Sequence, residues 1–235
     1  MKKPISILLC LILILSLFAA CASPAQEKPP EPRLRIVTTI FPIYDWLREI
    51  LGARAADVDL CFLLDSGVDL HSFQPTADDM VRIAQCDLFV YVGGESDEWV
   101  EDAIAEATNK DLLAVSLLDL LGDAVREEEL VEGMQDEDHD GEEEEHGHDE
   151  EPEYDEHVWL SLKNARAVCA ALCDTLCTLD LDGDAVYREN TRSYLDKLSA
   201  LDARYAEAVR EARFDTLLFG DRFPFRYLAD DYGLS

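Results

Sequence analysis

The sequence is short of positive charge: 20 Lys and Arg stand against 51 Asp and Glu, giving a formal charge of −31. Polyanion binding needs clustered Lys and Arg to displace counterions, so nucleic acid is excluded as a partner and cations are favoured. A membrane span is also lacking. The apolar run Ile5 to Ala20 follows Lys2 and Lys3 and is too short and too one-sided in its flanks to cross a bilayer comfortably. Residues 1–20 therefore read as a signal peptide, and the chain as exported. There is no disulfide framework, because beyond Cys21 the set Cys61, Cys86, Cys169, Cys173 and Cys177 is odd in number and not closely spaced. A Cys61–Cys86 bridge is conceivable but nothing in the pattern supports it. The hydrolase signatures His-Glu-x-x-His and Gly-x-Ser-x-Gly are missing as well. Histidine is scarce, with five in the chain, so each position can be weighed singly.

At the start of what is present, Leu17-Phe18-Ala19-Ala20-Cys21 resembles a lipobox, which would make Cys21 an acylated first residue and the chain a lipoprotein. Cleavage after Ala22 is the alternative, since Ala20-Cys21-Ala22 is itself a small-x-small site. Residues 21–32 carry four prolines among polar residues and cannot bury a core, so they form a tether.

From Arg33 onward, short β-branched apolar runs alternate with amphipathic stretches of ten or so residues, the mark of an α/β fold with a parallel sheet flanked by helices. Strands are expected at Leu34–Ile40, Val58–Leu64, Leu88–Val92, Leu113–Leu117 and Val158–Leu160. Helices are expected near Pro42–Leu51, Ala77–Gln85, Asp97–Ala107 and Ala165–Leu179, with Pro42 in a first turn and Thr76 and Asp79 resembling a capping box. Cys169, Cys173 and Cys177 share a helical stripe that suits a soft-metal site. Val168, Leu172 and Leu176 run beside them, however, and favour core packing. From Asp184 to Ala212 apolar residues recur every three or four positions with no Gly or Pro, which predicts one helix roughly 40 Å long. That is longer than a single lobe needs. Phe214–Phe219 then reads as a strand and Phe225–Tyr232 as a helix, too little to close a core. The expected organisation is a lobe over 33–181 with an acidic His-rich loop at 127–156, an inter-lobe helix over 182–213, and the start of a truncated second lobe at 214–235.

The histidines fall in three places. His71 lies in a polar loop between a strand and a helix, the position outside the carboxyl ends of strands where open α/β sheets bind ligands. His157 stands where an acidic stretch meets the apolar Val158-Trp159-Leu160. Either one alone suits a structural or surface role; together they are candidate metal ligands. His139, His146 and His148 sit among carboxylates in Asp136–Glu151. The backbone there reads as an acidic, solvated, disordered loop, and its imidazoles suit Zn²⁺, Cu²⁺ or Ni²⁺ as a multisite, low-affinity trap.

The stretch Gly67-Val68-Asp69-Leu70-His71-Ser72-Phe73-Gln74-Pro75-Thr76 resembles the Gly-x-Asp-Pro-His-x-(aromatic)-x-Pro-Thr motif of the zinc and manganese substrate-binding lipoproteins of ABC transporters, with Leu70 in place of Pro. His157-Val158-Trp159-Leu160 resembles that family's second motif. Tyr91-Val92-Gly93-Gly94 ahead of Trp99, the His-rich insertion and the long helix extend the similarity from about Arg33 to the end. The resemblance implies two α/β lobes of the periplasmic-binding type joined by one long helix. It further implies a metal ion held between the lobes, Zn²⁺ before Mn²⁺, and no catalysis. The partners it implies are an ABC metal permease and its ATPase, with the chain a monomer held to the outer face of the membrane by its lipid. Where the family carries a third ligand histidine, this chain has Arg222 beside Asp221. A guanidinium cannot ligate a cation. Asp221 supplying an oxygen, a carboxylate from the second lobe, a loop histidine folding in, and an Asp221–Arg222 ion pair all remain open. The rival functions are a zinc-dependent hydrolase and a surface metal-buffering or adhesion lipoprotein.

Overall fold

The computed structural model describes residues 32–65, 67–128, 153–220 and 223–235. The signal peptide, Cys21 and the tether up to Glu31, as well as His139, His146, His148, Asp221 and Arg222, lie outside the described residues.

Four parallel strands, β1 (Leu34–Thr38), β2 (Val58–Phe62), β3 (Leu88–Tyr91) and β4 (Leu113–Ser116), lie in the order β2-β1-β3-β4. Successive strands are joined by helical crossovers, as parallel pairing demands. The central strands are covered on both faces: Ile36, Val37, Leu88, Phe89 and Val90 are all buried, which is why they read as unbroken apolar runs. Helix α1 (Phe41–Leu51) starts with Pro42 in its first turn and buries Ile43, Trp46, Leu47, Ile50 and Leu51, one stripe at helical spacing. Helix α2 (Ala77–Gln85) carries the expected capping box: Asp79 N–H donates to Thr76 Oγ1 at 3.3 Å and Thr76 N–H to Asp79 Oδ2 at 2.8 Å. Helices α3 (Trp99–Ala105) and α4 (Leu117–Leu121) follow β3 and β4. Helix α5 (Leu162–Leu179) is capped by Ser161, whose hydroxyl accepts from Asn164 N–H. It packs on α1, α4 and the 28-residue α6 (Asp184–Glu211). Tyr187, Thr191 and Leu198 of α6 are buried, whereas most of the helix beyond Leu201 is exposed. The short α7 (Arg226–Tyr232) closes on α6, with Tyr232 stacked on Tyr205 and donating to Asp202 at 2.9 Å.

Two expected strands are absent. Val158–Leu160 is a single 3₁₀ turn, because its backbone is satisfied locally: Leu160 N–H donates to His157 O at 3.0 Å, and α5 begins two residues later. Phe214–Phe219 runs irregularly, tied by Leu217 N–H to Ser235 O and by Ser235 N–H to Asp215 O, with Leu218 98% exposed. Two backbone bonds to the last residue do not make a ladder. The five cysteines Cys61, Cys86, Cys169, Cys173 and Cys177 are free thiols, so Cys61 and Cys86 form no bridge.

Candidate metal centre

The loops that follow β2 and β3 at their carboxyl ends converge with the segment entering α5. Among the described residues a cleft of about 440 Å³ is lined by Ile40, Phe41, Phe62, Leu70, Trp159 and Pro224 together with His71 and His157. The structure thus brings together two histidines 86 positions apart in the chain. Their ring centroids are 5.3 Å apart, with the planes inclined at 53°.

Each ring is placed by the same local device, an aspartate two residues upstream. Asp69 Oδ1 accepts from His71 N–H at 3.0 Å and caps the 3₁₀ turn Leu70–Ser72. Asp155 Oδ1 accepts from His157 N–H at 2.8 Å. In the second case the carboxylate also meets the ring, with Asp155 Oδ1 3.0 Å from His157 Nδ1. An ionised carboxylate only accepts, so Nδ1 carries the proton and Nε2 keeps its lone pair, the arrangement by which a metal-binding imidazole is oriented. Trp159 packs against the His157 ring at 5.3 Å between centroids. The His157 segment is itself pinned: Asp155 N–H donates to Arg126 O at 2.9 Å, and the hydroxyl of buried Tyr227 donates to Asp155 O at 2.8 Å.

The His71 ring is held from the β3 side. Ser96 Oγ lies 2.9 Å from His71 Nδ1. The loop carrying Ser96 is fixed by Asp97, whose buried Oδ2 accepts N–H groups from Val92 at 2.9 Å and Gly93 at 3.0 Å. Burial pushes the Asp97 carboxyl up to about 6, against the lowering effect of those two N–H groups, with Glu156 raising it further. Asp155 and Glu156, 8 and 6% exposed, stand against the His157 and His71 rings, and Asp97, 3% exposed, is buried in the loop that carries Ser96. No Lys or Arg is among the described residues lining the cleft. An anion would meet like charge here, whereas a cation is favoured.

Among the described residues no set of three or more His, Cys, Asp and Glu side chains is grouped to hold a metal by itself. His71 and His157 are the part of a ligand shell that the described residues show. Sequence reading singled out both histidines and missed Asp69, Ser96, Asp155 and Glu156 around them. The repeated Asp-x-His of Asp69-Leu70-His71 and Asp155-Glu156-His157 is the signal that would have found the two aspartates. Ser96 and Glu156 are brought to His71 by tertiary contact alone.

The sequence pattern of the family described as zinc-uptake complex component A, periplasmic, matches residues 36–235. The zinc-binding lipoprotein AdcA of Streptococcus pneumoniae serotype 4 is 33% identical over 235 residues, covering 99% of this chain and 43% of AdcA. The high-affinity zinc uptake system protein ZnuA of Bacillus subtilis strain 168 is 30% identical over 228 residues, covering 93% of this chain and 66% of ZnuA. The crystal structure of Zn(II)-bound AdcA from S. pneumoniae superposes with a TM-score of 0.66 at 27% identity, over 86% of this chain and 38% of that one. The metal-dependent lipoprotein YcdH of B. subtilis gives 0.67 at 26% identity, over 86% and 65%. The chain thus spans less than half the length of AdcA and about two thirds of the length of ZnuA.

Proposed function

The chain belongs to the periplasmic zinc-uptake component A family, and on that premise we propose that it captures Zn²⁺ outside the cytoplasm and delivers it to an ABC-type metal permease with its ATPase. The observation that carries this reading is the pairing of His71 and His157, drawn from two distant loops to a ring separation of 5.3 Å in a cleft backed by buried carboxylates. Zn²⁺ accepts imidazole nitrogens readily and adopts a tetrahedral shell, in which these two residues supply two positions. Asp221 is the nearest further candidate in sequence, three residues ahead of Pro224, which lines the cleft. Mn²⁺ prefers oxygen-rich shells and is the poorer fit to two imidazoles. No bond of the cargo is made or broken beyond coordination, so the reading needs no catalytic group.

In the same reading Cys21 carries the lipid that holds a monomeric protein at the membrane, α6 joins two lobes, and His139, His146 and His148 offer weak accessory sites. Competitive titration with a zinc chelator tests the centre. His71→Ala and His157→Ala should each lower affinity by more than the roughly 10–100-fold that loss of an outer-shell partner costs. Circular dichroism should remain that of the parent, since both rings line an open cleft. Wild-type affinity in both variants would remove the cleft site.

A further inference from the structure

The Nδ1 partner of His157 is a carboxylate and settles that ring's tautomer; the Nδ1 partner of His71 is the Ser96 hydroxyl, which settles nothing. A hydroxyl either donates to Nδ1, leaving the proton on Nε2 and the ring unable to ligate through Nε2, or accepts from an Nδ1–H. A second group must decide. Glu156 is that group on geometric grounds. It is 6% exposed, and its Oε1 accepts from Ser96 N–H at 2.8 Å. Its Oε2 is fully buried, has no hydrogen-bond partner among the described residues, and lies 3.7 Å from His71 Nδ1. A buried carboxylate oxygen without a donor is costly, and here the His71 imidazole lies within ion-pair reach of it. Gly94, at φ +83°, gives the carboxylate its room: a Cβ there would stand 2.5 Å from Glu156 Oε1.

We propose that Glu156 is a positioning residue for His71: its carboxylate places the Ser96 hydroxyl through Oε1 and, through the negative charge at Oε2, holds the proton on Nδ1 so that Nε2 is left as the metal-binding lone pair. Asp155 acts on His157 and Glu156 on His71, so adjacent acidic residues orient the two ligands. The inference rests on the cleft reading above for the use made of Nε2, but the tautomer itself exists without metal.

The test separates the two. Glu156→Gln keeps the shape and the acceptor for Ser96 N–H, yet turns an amide NH₂ toward His71 Nδ1, which favours the proton on Nε2. With ¹⁵N-labelled histidine in the metal-free full-length protein, at a pH where imidazole is neutral, long-range ¹⁵N–¹H correlation should show the Nδ1–H form of His71 in the parent and the Nε2–H form in Glu156→Gln. Glu156→Asp, which retains the charge, should keep the Nδ1–H form. Zinc affinity should fall roughly 10–100-fold in Glu156→Gln, the usual cost of losing an outer-shell carboxylate. The same His71 tautomer in parent and Glu156→Gln would overturn the proposal, since a merely space-filling side chain leaves it unmoved. A switched tautomer with unchanged zinc affinity would uphold the positioning role and instead overturn ligation by His71.

Discussion

Asp97 is a carboxylate that the fold keeps at a cost. One oxygen caps the N–H groups of Val92 and Gly93 and thereby shapes the loop bearing Ser96, while Oδ1 is buried with no partner among the described residues. Burial raises its pKa to about 6, above the ordinary carboxylate value near 3.8. Because the folded pKa is the higher one, the folded state binds the proton more tightly. The stabilisation from protonating this residue is fully present below about pH 4 and is lost as the pH rises through about 6. The span corresponds to about 3 kcal/mol at most. Asp97→Asn retains one acceptor oxygen for both N–H groups and removes the buried charge, so it should raise the urea midpoint at pH 7. At pH 4 it should change the midpoint little. A variant that is less stable than the parent at pH 7 would show that the N–H groups need the charge more than burial penalises it.

At the scale of elements, local pattern was informative wherever a local pattern decides the structure. The apolar stripe of α1, the capping box of α2 and the long period of α6 each follow from residues within a few turns of one another, and each was legible. Val158–Leu160 and Phe214–Phe219 were misread because a strand is defined by its partner, and apolar β-branched or aromatic residues do not name one. In the centre, His71 and His157 were legible from their loops, whereas the approach of Ser96 and Glu156 to His71 is made across the fold and carries no mark in the sequence. The cysteine stripe of α5 shows the converse, since its spacing allowed a soft-metal site or a core face and burial decides. Cys169, Cys173 and Cys177 are at most 5% exposed, and burial pushes the first and last thiols up to about 12. At pH 8 a thiol with such a pKa is ionised to only about one part in ten thousand, and the thiolate is the reactive and metal-binding form. In native protein a thiol reagent should therefore label half-buried Cys61 while the α5 cysteines react only after denaturant is added, as peptide mapping would show. Native labelling of α5 at the Cys61 rate would contradict the packing described here.

Over the whole molecule the charge of −31 falls unevenly, and much of it lies in Asp136–Glu151, which also holds His139, His146 and His148. That segment is joined to the centre through a short antiparallel contact: Glu128 N–H donates to Glu153 O at 2.8 Å and Asp155 N–H to Arg126 O at 2.9 Å. Asp155, which orients His157, is therefore held by residues that flank the His-rich segment. Deleting 136–151 leaves those bonds, the two aspartate–histidine pairs and the Tyr227 contact in place. A chain of this composition loses conformational entropy when it closes around a metal, so its sites should be weak. Calorimetric zinc titration of the deletion variant should then show one tight site within about threefold of the parent, as expected for independent sites, together with the loss of several weaker ones. Loss of the tight site on deletion would place a histidine of the acidic segment in the same shell as His71 and His157, and the cleft alone would no longer account for high-affinity binding.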